Sequence, residues 1–392
     1  MPRALRVGVG SGPNHEEPDH EGVMMSRRHG RHDQSGRREP DTSGDPIYIV
    51  GLDRSGKTTM RAFLSSHSQI DIPAVGSNMW TYFYQRFGSL DDAANLAQCL
   101  AEMSRYKHVR FLEPDFARIR EEFARGPATY ARLFSLFLVH HADREGKRRW
   151  GAQSGLVEQY ADEMFAAWPG LKVIHMVRDP RDRYEASLAK WPDGRGRAGG
   201  AAARWRYSIR LAERNIRRYP DGYFIVRFED LVTSTNATVR TVCEFLGEQY
   251  EPAMMALGAA TDFRGSLGSG AVHDEGPTLS SEYLGRFRGR IPETELMFLQ
   301  LHLGQAMRRH GYPLEHIELS ARSRATFAAL EWPSNYARYV AWSAAETAHR
   351  RWPRRLGHQP GRRMRIEPDA TSESGGDTAA ADRSDNRWIA GT

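Results

Sequence analysis

Nine consecutive residues, Gly51-Leu52-Asp53-Arg54-Ser55-Gly56-Lys57-Thr58-Thr59, have the types and spacing that bind a phosphate. They match G-x-x-x-x-G-K-[ST], in which two glycines allow a tight loop whose backbone N–H groups converge on an anion. A helix starting at the end of such a loop adds the positive end of its dipole. Lys57 supplies a mobile point charge, Arg54 a planar fork of donors, and Thr58 and Thr59 hydroxyls. The chemistry implied is capture of a phosphate-bearing ligand.

A second stretch, Val177-Arg178-Asp179-Pro180-Arg181-Asp182-Arg183-Tyr184-Glu185-Ala186-Ser187, could hold another anion. Pro180 suits the first turn of a helix and Asp179 its N-cap. Arg178 then stands at the end of a strand, where ligands of open α/β sheets bind. Either Arg178, with Ser187 behind it, clamps a phosphate, or Arg178 and Asp179 form a local ion pair.

Fifteen histidines offer bases. His175 reads as a structural residue inside a strand and His67 as a helix-end residue, while nothing selects His140 or His141. The aromatic run from Ser77 to Tyr84 either lines an acceptor pocket or packs in the core. Between Trp332 and Trp352 the aromatics at 332, 336, 339 and 342 follow near-helical spacing. That helix either packs on the core or, with the basic run after it, makes a peripheral membrane contact over 332–365.

The elements that must position these groups are short apolar runs alternating with helical patterns. Strands are predicted at 47–50, 149–151, 172–177 and 223–228. Helices are predicted at 58–67, 93–106, 129–145, 158–168, 200–219, 235–247 and 293–310. The alternation implies a P-loop-type, three-layer α/β/α fold around a central parallel sheet. The folded domain is expected over 46–315 and a helical extension over 316–353. A disordered tail is expected over 1–45, and a basic then low-complexity one over 354–392.

The 392 residues carry a formal charge of +6, and only five of the 55 basic side chains are lysines. Residues 350–365 alone contain seven arginines and no acid. The rest of the chain is therefore close to neutral, which argues against a nucleic-acid partner. Two distant cysteines exclude a disulfide framework and a cysteine zinc site, and fit a reducing compartment. No stretch approaches the roughly 18 apolar residues of a membrane span, and the first 45 residues lack the apolar core of a signal peptide. The expected location is cytoplasmic.

Together the two anion motifs resemble those of sulfotransferases that use 3'-phosphoadenosine 5'-phosphosulfate (PAPS), the bacterial branch in particular. Asp53-Arg54-Ser55-Gly56-Lys57-Thr58 is similar to that family's P-R-S-G-T-T, and the stretch from Val177 to its V-R-D-P-R followed by a serine. Val226-Arg227-Phe228-Glu229-Asp230-Leu231 with Cys243-Glu244-Phe245-Leu246-Gly247 resembles V-R-Y-E-D-L and C-x-F-L-G. Leu284-Gly285-Arg286-Phe287-Arg288, ahead of a helix ending Arg308-Arg309-His310-Gly311-Tyr312, agrees as well.

The resemblance implies that Arg54, Ser55, Gly56, Lys57, Thr58 and Thr59 hold the 5'-phosphosulfate, and that Arg178 and Ser187 hold the 3'-phosphate. Arg54 and Lys57 would be catalytic, with no metal required. PAPS would be the co-substrate, and the acceptor a hydroxyl or amine of a small molecule, carbohydrate or lipid. Four positions depart from the family pattern. Lys57 replaces a threonine, and Ser187 stands nine residues after Arg178 instead of eight, which turns it about 100° around a helix and leaves Ala186 in its place. Val75 replaces a frequent glutamate base, and Ala152-Gln153 replaces a charged pair. Two alternatives stay open: an ATP- and magnesium-dependent kinase or hydrolase, favoured by Lys57, and a non-catalytic PAPS-binding protein, favoured by the missing carboxylates.

Overall fold

A computed structural model of the chain describes residues 45–190, 198–256, 272–273, 276–277 and 281–351. Both expected tails, and the basic run beyond Arg351, lie outside the described residues.

Five parallel strands form the sheet: β1 (Ile47–Val50), β2 (Ile70–Asp71), β3 (Arg149–Gln153), β4 (Lys172–Val177) and β5 (Tyr223–Arg227). Their order is β2-β3-β1-β4-β5, so β1 is central and the chain builds outward on both sides of it. The β1 side chains alternate between two cores. Tyr48 and Val50 pack with Trp80, Phe134, Trp150 and Trp168, whereas Ile47 and Ile49 pack with Met60, Phe63, Ile174 and Met176. Burial on both faces is why these strands read as continuous apolar runs rather than alternating ones.

The helices are α1 (Lys57–Ser65), α2 (Met79–Tyr82), α3 (Ala93–Arg105), α4 (Lys107–Arg110), α5 (Phe116–Ala124), α6 (Tyr130–Arg144), α7 (Ala161–Ala167), α8 (Pro180–Lys190), α9 (Ala198–Arg218), α10 (Phe228–Thr233), α11 (Thr235–Leu246), α12 (Glu293–Arg309), α13 (Ala321–Thr326) and α14 (Trp332–Arg351). Side-chain oxygens of Asp92, Asp115 and Thr129 cap α3, α5 and α6 by accepting N–H groups of their first turns. The three-layer α/β/α arrangement is as expected, with three differences in the strands. The two-residue β2 is too short to carry a periodic signal. Strand β3 runs two residues beyond the expected 149–151. Phe228 opens α10 instead of closing β5, because Arg227 serves as that helix's N-cap residue.

The register of β1 sets the site. Val50 pairs with His175, and Ile49 with Gln153. One residue further, Gly51 comes level with Met176 on one side and with Ser154-Gly155 on the other. Val177 pairs with Arg227, so Arg178 comes level with Phe228. Both motif loops therefore leave the same edge of the sheet side by side.

A third core joins α8, α9 and α12 through Tyr184, Trp205, Leu299, Leu303 and Tyr312. Helix α14 lies across α9: Trp342 is buried against Tyr207, Tyr339 joins the third core, and Asn335 Oδ1 accepts the Gly199 N–H at 3.0 Å. The helix thus presents an aromatic face to the domain. A Cβ on Gly199 would stand 1.8 Å from the Asn335 carbonyl oxygen. Gly199→Ala should force α14 away from α9, raising the rate of tryptic cleavage within 321–351 about tenfold with far-UV circular dichroism preserved. Unchanged cleavage in a folded variant would show that this contact does not hold the helix.

Candidate active site

The loop between β1 and α1 has the strained shape an anion cradle needs. Gly51 (φ 112°), Arg54 (φ 66°) and Gly56 (φ 91°) all occupy the positive-φ region. At Gly51 a Cβ would stand 2.3 Å from the Met176 carbonyl oxygen, so only glycine fits where β1 meets its neighbour. Gly56 is the N-cap residue of α1, and no side chain caps that helix or places an acid in its first turn. The first N–H groups of α1 are thus not taken up by a side chain, as an anion site requires.

Lys57 bends back over the loop. Its Nζ donates to the Gly51 carbonyl at 2.7 Å and lies 3.4 Å from Asp53 Oδ1. A Cβ on Gly155 would stand 3.4 Å from the same ammonium. Arg54 and Thr58 are exposed at the edge, while Ser55 and Thr59 are buried within the loop.

Arg178 is brought to the loop as its strand-end position implies. Its Nη1 donates to the Arg54 carbonyl at 3.1 Å, its Nη2 donates to the Tyr283 carbonyl at 2.7 Å, and its guanidinium lies 4.5 Å from the centre of the Phe228 ring. The local Arg178–Asp179 ion pair does not form. Asp179 instead caps α8 through the Arg181 N–H and pairs with the Arg181 side chain. Among the described residues Arg178 therefore donates only to neutral carbonyls. Burial lowers its pKa, opposed by the charges of Asp182, Glu229 and Glu185.

Arg183 was not singled out by its sequence context. It is 5% exposed, and among the described residues its guanidinium has no hydrogen-bond or ion-pair partner. Burial, then the charges of Arg204 and Arg178, push its pKa down to about 10, with Asp53 acting in the opposite direction. An isolated buried cation is costly, and a bound anion relieves that cost. Ser187 stands one turn further along α8 and donates its hydroxyl to the Arg183 carbonyl at 2.8 Å. It can bond a phosphate oxygen only by turning that single proton away from the carbonyl.

The carboxylates nearby serve other ends. Asp182 accepts the N–H groups of Gly285 and Phe287 at 2.7 and 3.0 Å. Glu229 accepts the Asp179 N–H at 2.9 Å and the Tyr312 hydroxyl at 3.1 Å. Burial raises the pKa of both. These contacts join the four sequence motifs into one scaffold around Arg178.

The histidines mostly fall elsewhere. His140 pairs with Glu122 at 2.6 Å, His141 with Asp71 at 2.7 Å, and His67 meets the Gln249 carbonyl at 2.9 Å. The Ser77–Tyr84 run divides: Met79, Trp80 and Phe83 are core residues, with Trp80 donating to the Tyr48 hydroxyl, while Tyr82 and Tyr84 are half-buried. His108, not noticed in the sequence, lies on α4 beside Gly76 and Asn78. Its Nδ1 is 2.6 Å from the Gly76 carbonyl, which can only accept. Nδ1 therefore carries the proton, and in the neutral ring Nε2 is the basic nitrogen. Asn78, beside it, meets Ser154 at 3.0 Å, next to the Gly155 that lies near Lys57 Nζ. Among the described residues no group of three or more His, Cys, Asp and Glu could hold a metal ion.

Fold and site together define a parallel α/β protein with an anion loop at the end of its central strand. The model for the Sulfotransferase family matches residues 46–252, more than half of the chain, and the chain belongs to that family. A curated relative, sulfotransferase 2A1 of Rattus norvegicus, is 31% identical over 101 residues. That match takes in 22% of this chain and 35% of the rat protein, about a third of its length. Among solved structures, the sulfotransferase domain of the curacin biosynthetic pathway is similar at 16% identity and TM-score 0.46, covering 69% of this chain and all but 1% of that one. The sulfotransferase domain of the Synechococcus PCC 7002 olefin synthase gives 19% identity and TM-score 0.46, over 71% of this chain and 99% of that one.

Directly beneath the loop, His175 is fully buried, and burial, then the charges of Lys57 and His310, push its pKa from 6.5 down to about 3. Between those two values the unfolded chain binds a proton on this group and the folded chain does not. Its contribution to stability is therefore complete above pH 6.5 and is lost as the pH falls toward 3, with a loss of about 2 kcal/mol by pH 5. Urea midpoints should fall between pH 7 and pH 5, and by less in His175→Gln. An equal fall in both would remove His175 from the acid response.

Proposed function

We propose that the chain transfers a sulfuryl group from PAPS to a hydroxyl or amine on a small-molecule, carbohydrate or lipid acceptor. One observation carries the reading. Two cationic clusters stand at neighbouring strand ends, the start of α1 with Lys57, and Arg178 with Arg183, whose guanidinium has no partner among the described residues. A donor with a 5'-phosphosulfate and a separate 3'-phosphate suits two such clusters. A triphosphate, one continuous chain of anions, needs only the first. Family membership supports the same reading.

Arg54, Ser55, Gly56, Lys57, Thr58 and Thr59 would hold the phosphosulfate, and Arg178, Arg183 and Ser187 the 3'-phosphate. Bound PAPS supplies an activated sulfuryl group. The protein's own part is to neutralise the negative charge that grows on the leaving phosphate, through the first N–H groups of α1, Lys57 and Arg54. The acceptor proton needs a base, and the position that resembles the family's glutamate holds Val75. His108 is hydrogen-bonded to the next residue, Gly76, and presents Nε2 as the basic nitrogen.

Isothermal titration calorimetry without magnesium should show adenosine 3',5'-bisphosphate binding. Arg183→Ala should weaken it about tenfold while changing adenosine 5'-phosphate binding less than about threefold. Binding of ATP–magnesium but not the bisphosphate would overturn the reading in favour of a kinase or hydrolase. Bisphosphate binding with no transfer across a broad acceptor panel would leave a binding protein.

In a transfer assay, Lys57→Ala and Arg54→Ala should each lower kcat more than about tenfold. His108→Gln should lower kcat about a hundredfold with the bisphosphate Kd unchanged. Full activity in His108→Gln would place the base elsewhere.

A further inference from the structure

We propose that Glu158 is a positioning residue for this site, a buried carboxyl group that, through Ser208 and His175, backs the Gly51 peptide and, through it, Lys57. The proposal rests on the functional reading above only for its turnover measurements. Glu158 lies on the single turn Val157–Tyr160 that precedes α7, and is 1% exposed. Its Oε1 accepts the Ser208 hydroxyl at 2.8 Å, and its backbone carbonyl accepts Asn215 Nδ2 at 2.9 Å. Ser208 Oγ is 3.1 Å from His175 Nε2, and His175 Nδ1 is 2.6 Å from the Tyr223 hydroxyl. Four side chains from three elements and a turn thus form one buried line.

The line has a direction. Ser208 has a single hydroxyl proton and gives it to Glu158, so its oxygen accepts from His175 Nε2–H. His175 is neutral, so Nδ1 accepts the Tyr223 proton. With Glu158 as the acceptor, all three protons point towards its carboxyl group. Burial opposes the charged form and raises the pKa, while Ser208, Lys57 and the Gly51 N–H oppose the rise. Oε2 itself makes no hydrogen bond of ordinary geometry.

The line also touches the loop. A Cβ on Gly51 would stand 3.4 Å from His175 Cδ2, so the loop's first residue rests on the imidazole. The Gly51 carbonyl is the acceptor of Lys57 Nζ. Gly51 therefore has His175 behind it, tied through Ser208 to Glu158, and Lys57 in front. The other acid near Lys57 is Asp53, which is exposed and able to move with the loop. Packing alone would be served as well by apolar residues. The polar line instead gives a fixed orientation to the peptide from which Lys57 turns towards an incoming anion.

Glu158→Gln keeps the shape and the acceptor for Ser208 but removes the carboxyl group. It should lower kcat for transfer about tenfold, with the KM for PAPS changed less than about threefold and Tm within a few degrees. In a Lys57→Ala background the same substitution should change kcat less than about twofold, since the two act as one unit. Hydrogen exchange across 51–57 in the unliganded protein should quicken about tenfold. Equal losses in both backgrounds, or unchanged kcat and exchange in folded Glu158→Gln, would overturn the proposal. Where Glu158→Gln does not fold, Ser208→Ala, which keeps the carboxyl group and cuts the line, is judged by the same exchange and coupling criteria. The exchange measurement needs no donor. It decides the matter even if the wild type transfers nothing from PAPS, a result that sinks the functional reading and not this one.

Discussion

Gly51 leaves β1 against the carbonyl of Met176, at a distance that admits no side chain, and the site is assembled from that contact. The parallel register of β1 with β4 puts the anion loop beside Arg178, and its register with β3 puts Ser154 and Gly155 on the other flank. A slip of one residue in either ladder would turn the β1 side chains to the wrong cores. It would also carry the loop away from both neighbours. Packing and chemistry are thus fixed by the same hydrogen bonds. The two apolar cores hold the register, and the register places the charges.

Holding several arginines together without neutralising them is the second constraint. The chain meets it by directing nearby acids to the backbone. Asp182 is used by Gly285 and Phe287, and Glu229 by Asp179 and Tyr312. Asp179 is shared between the α8 cap and Arg181. Each carboxylate stays close enough to moderate the local potential and to tie a loop, yet none bonds Arg178 or Arg183 among the described residues. The 281–291 segment is pinned by Asp182 and in turn presents the Tyr283 carbonyl to Arg178. Net charge says nothing of this. The excess of +6 comes from a run beginning at Arg350, whereas the site owes its potential to how its acids are spent.

What the sequence made legible was local. The loop pattern, the four longer strands and seven helices follow from spacing within ten or twenty residues, where the glycines, the proline and the apolar period act. Strand β2 was missed because two residues carry no period, and α5 and α10 because short helices give little more. The proposed site residues that escaped notice share a different trait, in that distant chain segments define them. Glu158 means little without Ser208, 50 residues away, and His108 little without Gly76, 32 residues away. Arg183 reads as one more arginine in an arginine-rich chain until the fold buries it with no partner among the described residues. The serine spacing that departs from the family pattern bears on this last case. Ala186 cannot donate, and Arg183, one turn earlier on α8, brings charge to that face of the helix.

Lys57 is the residue that made the loop read as an ATP motif, and its surroundings bear on that reading. Asp53 is 3.4 Å away and largely exposed, and an ion pair of that kind contributes little. An arriving anion displaces it at small cost. The stronger tether is the Gly51 carbonyl at 2.7 Å, a neutral acceptor that leaves the ammonium charge intact. Lys57 is therefore held by geometry and not by charge, close to the first turn of α1 where an anion would sit. Such a lysine can follow charge as it develops on a leaving oxygen, whether phosphorus or sulfur carries the transferred group. The lysine alone does not choose between them. The proposed second anion site, built on Arg178 and Arg183 one strand away, is what would separate a donor with two distant phosphates from a triphosphate.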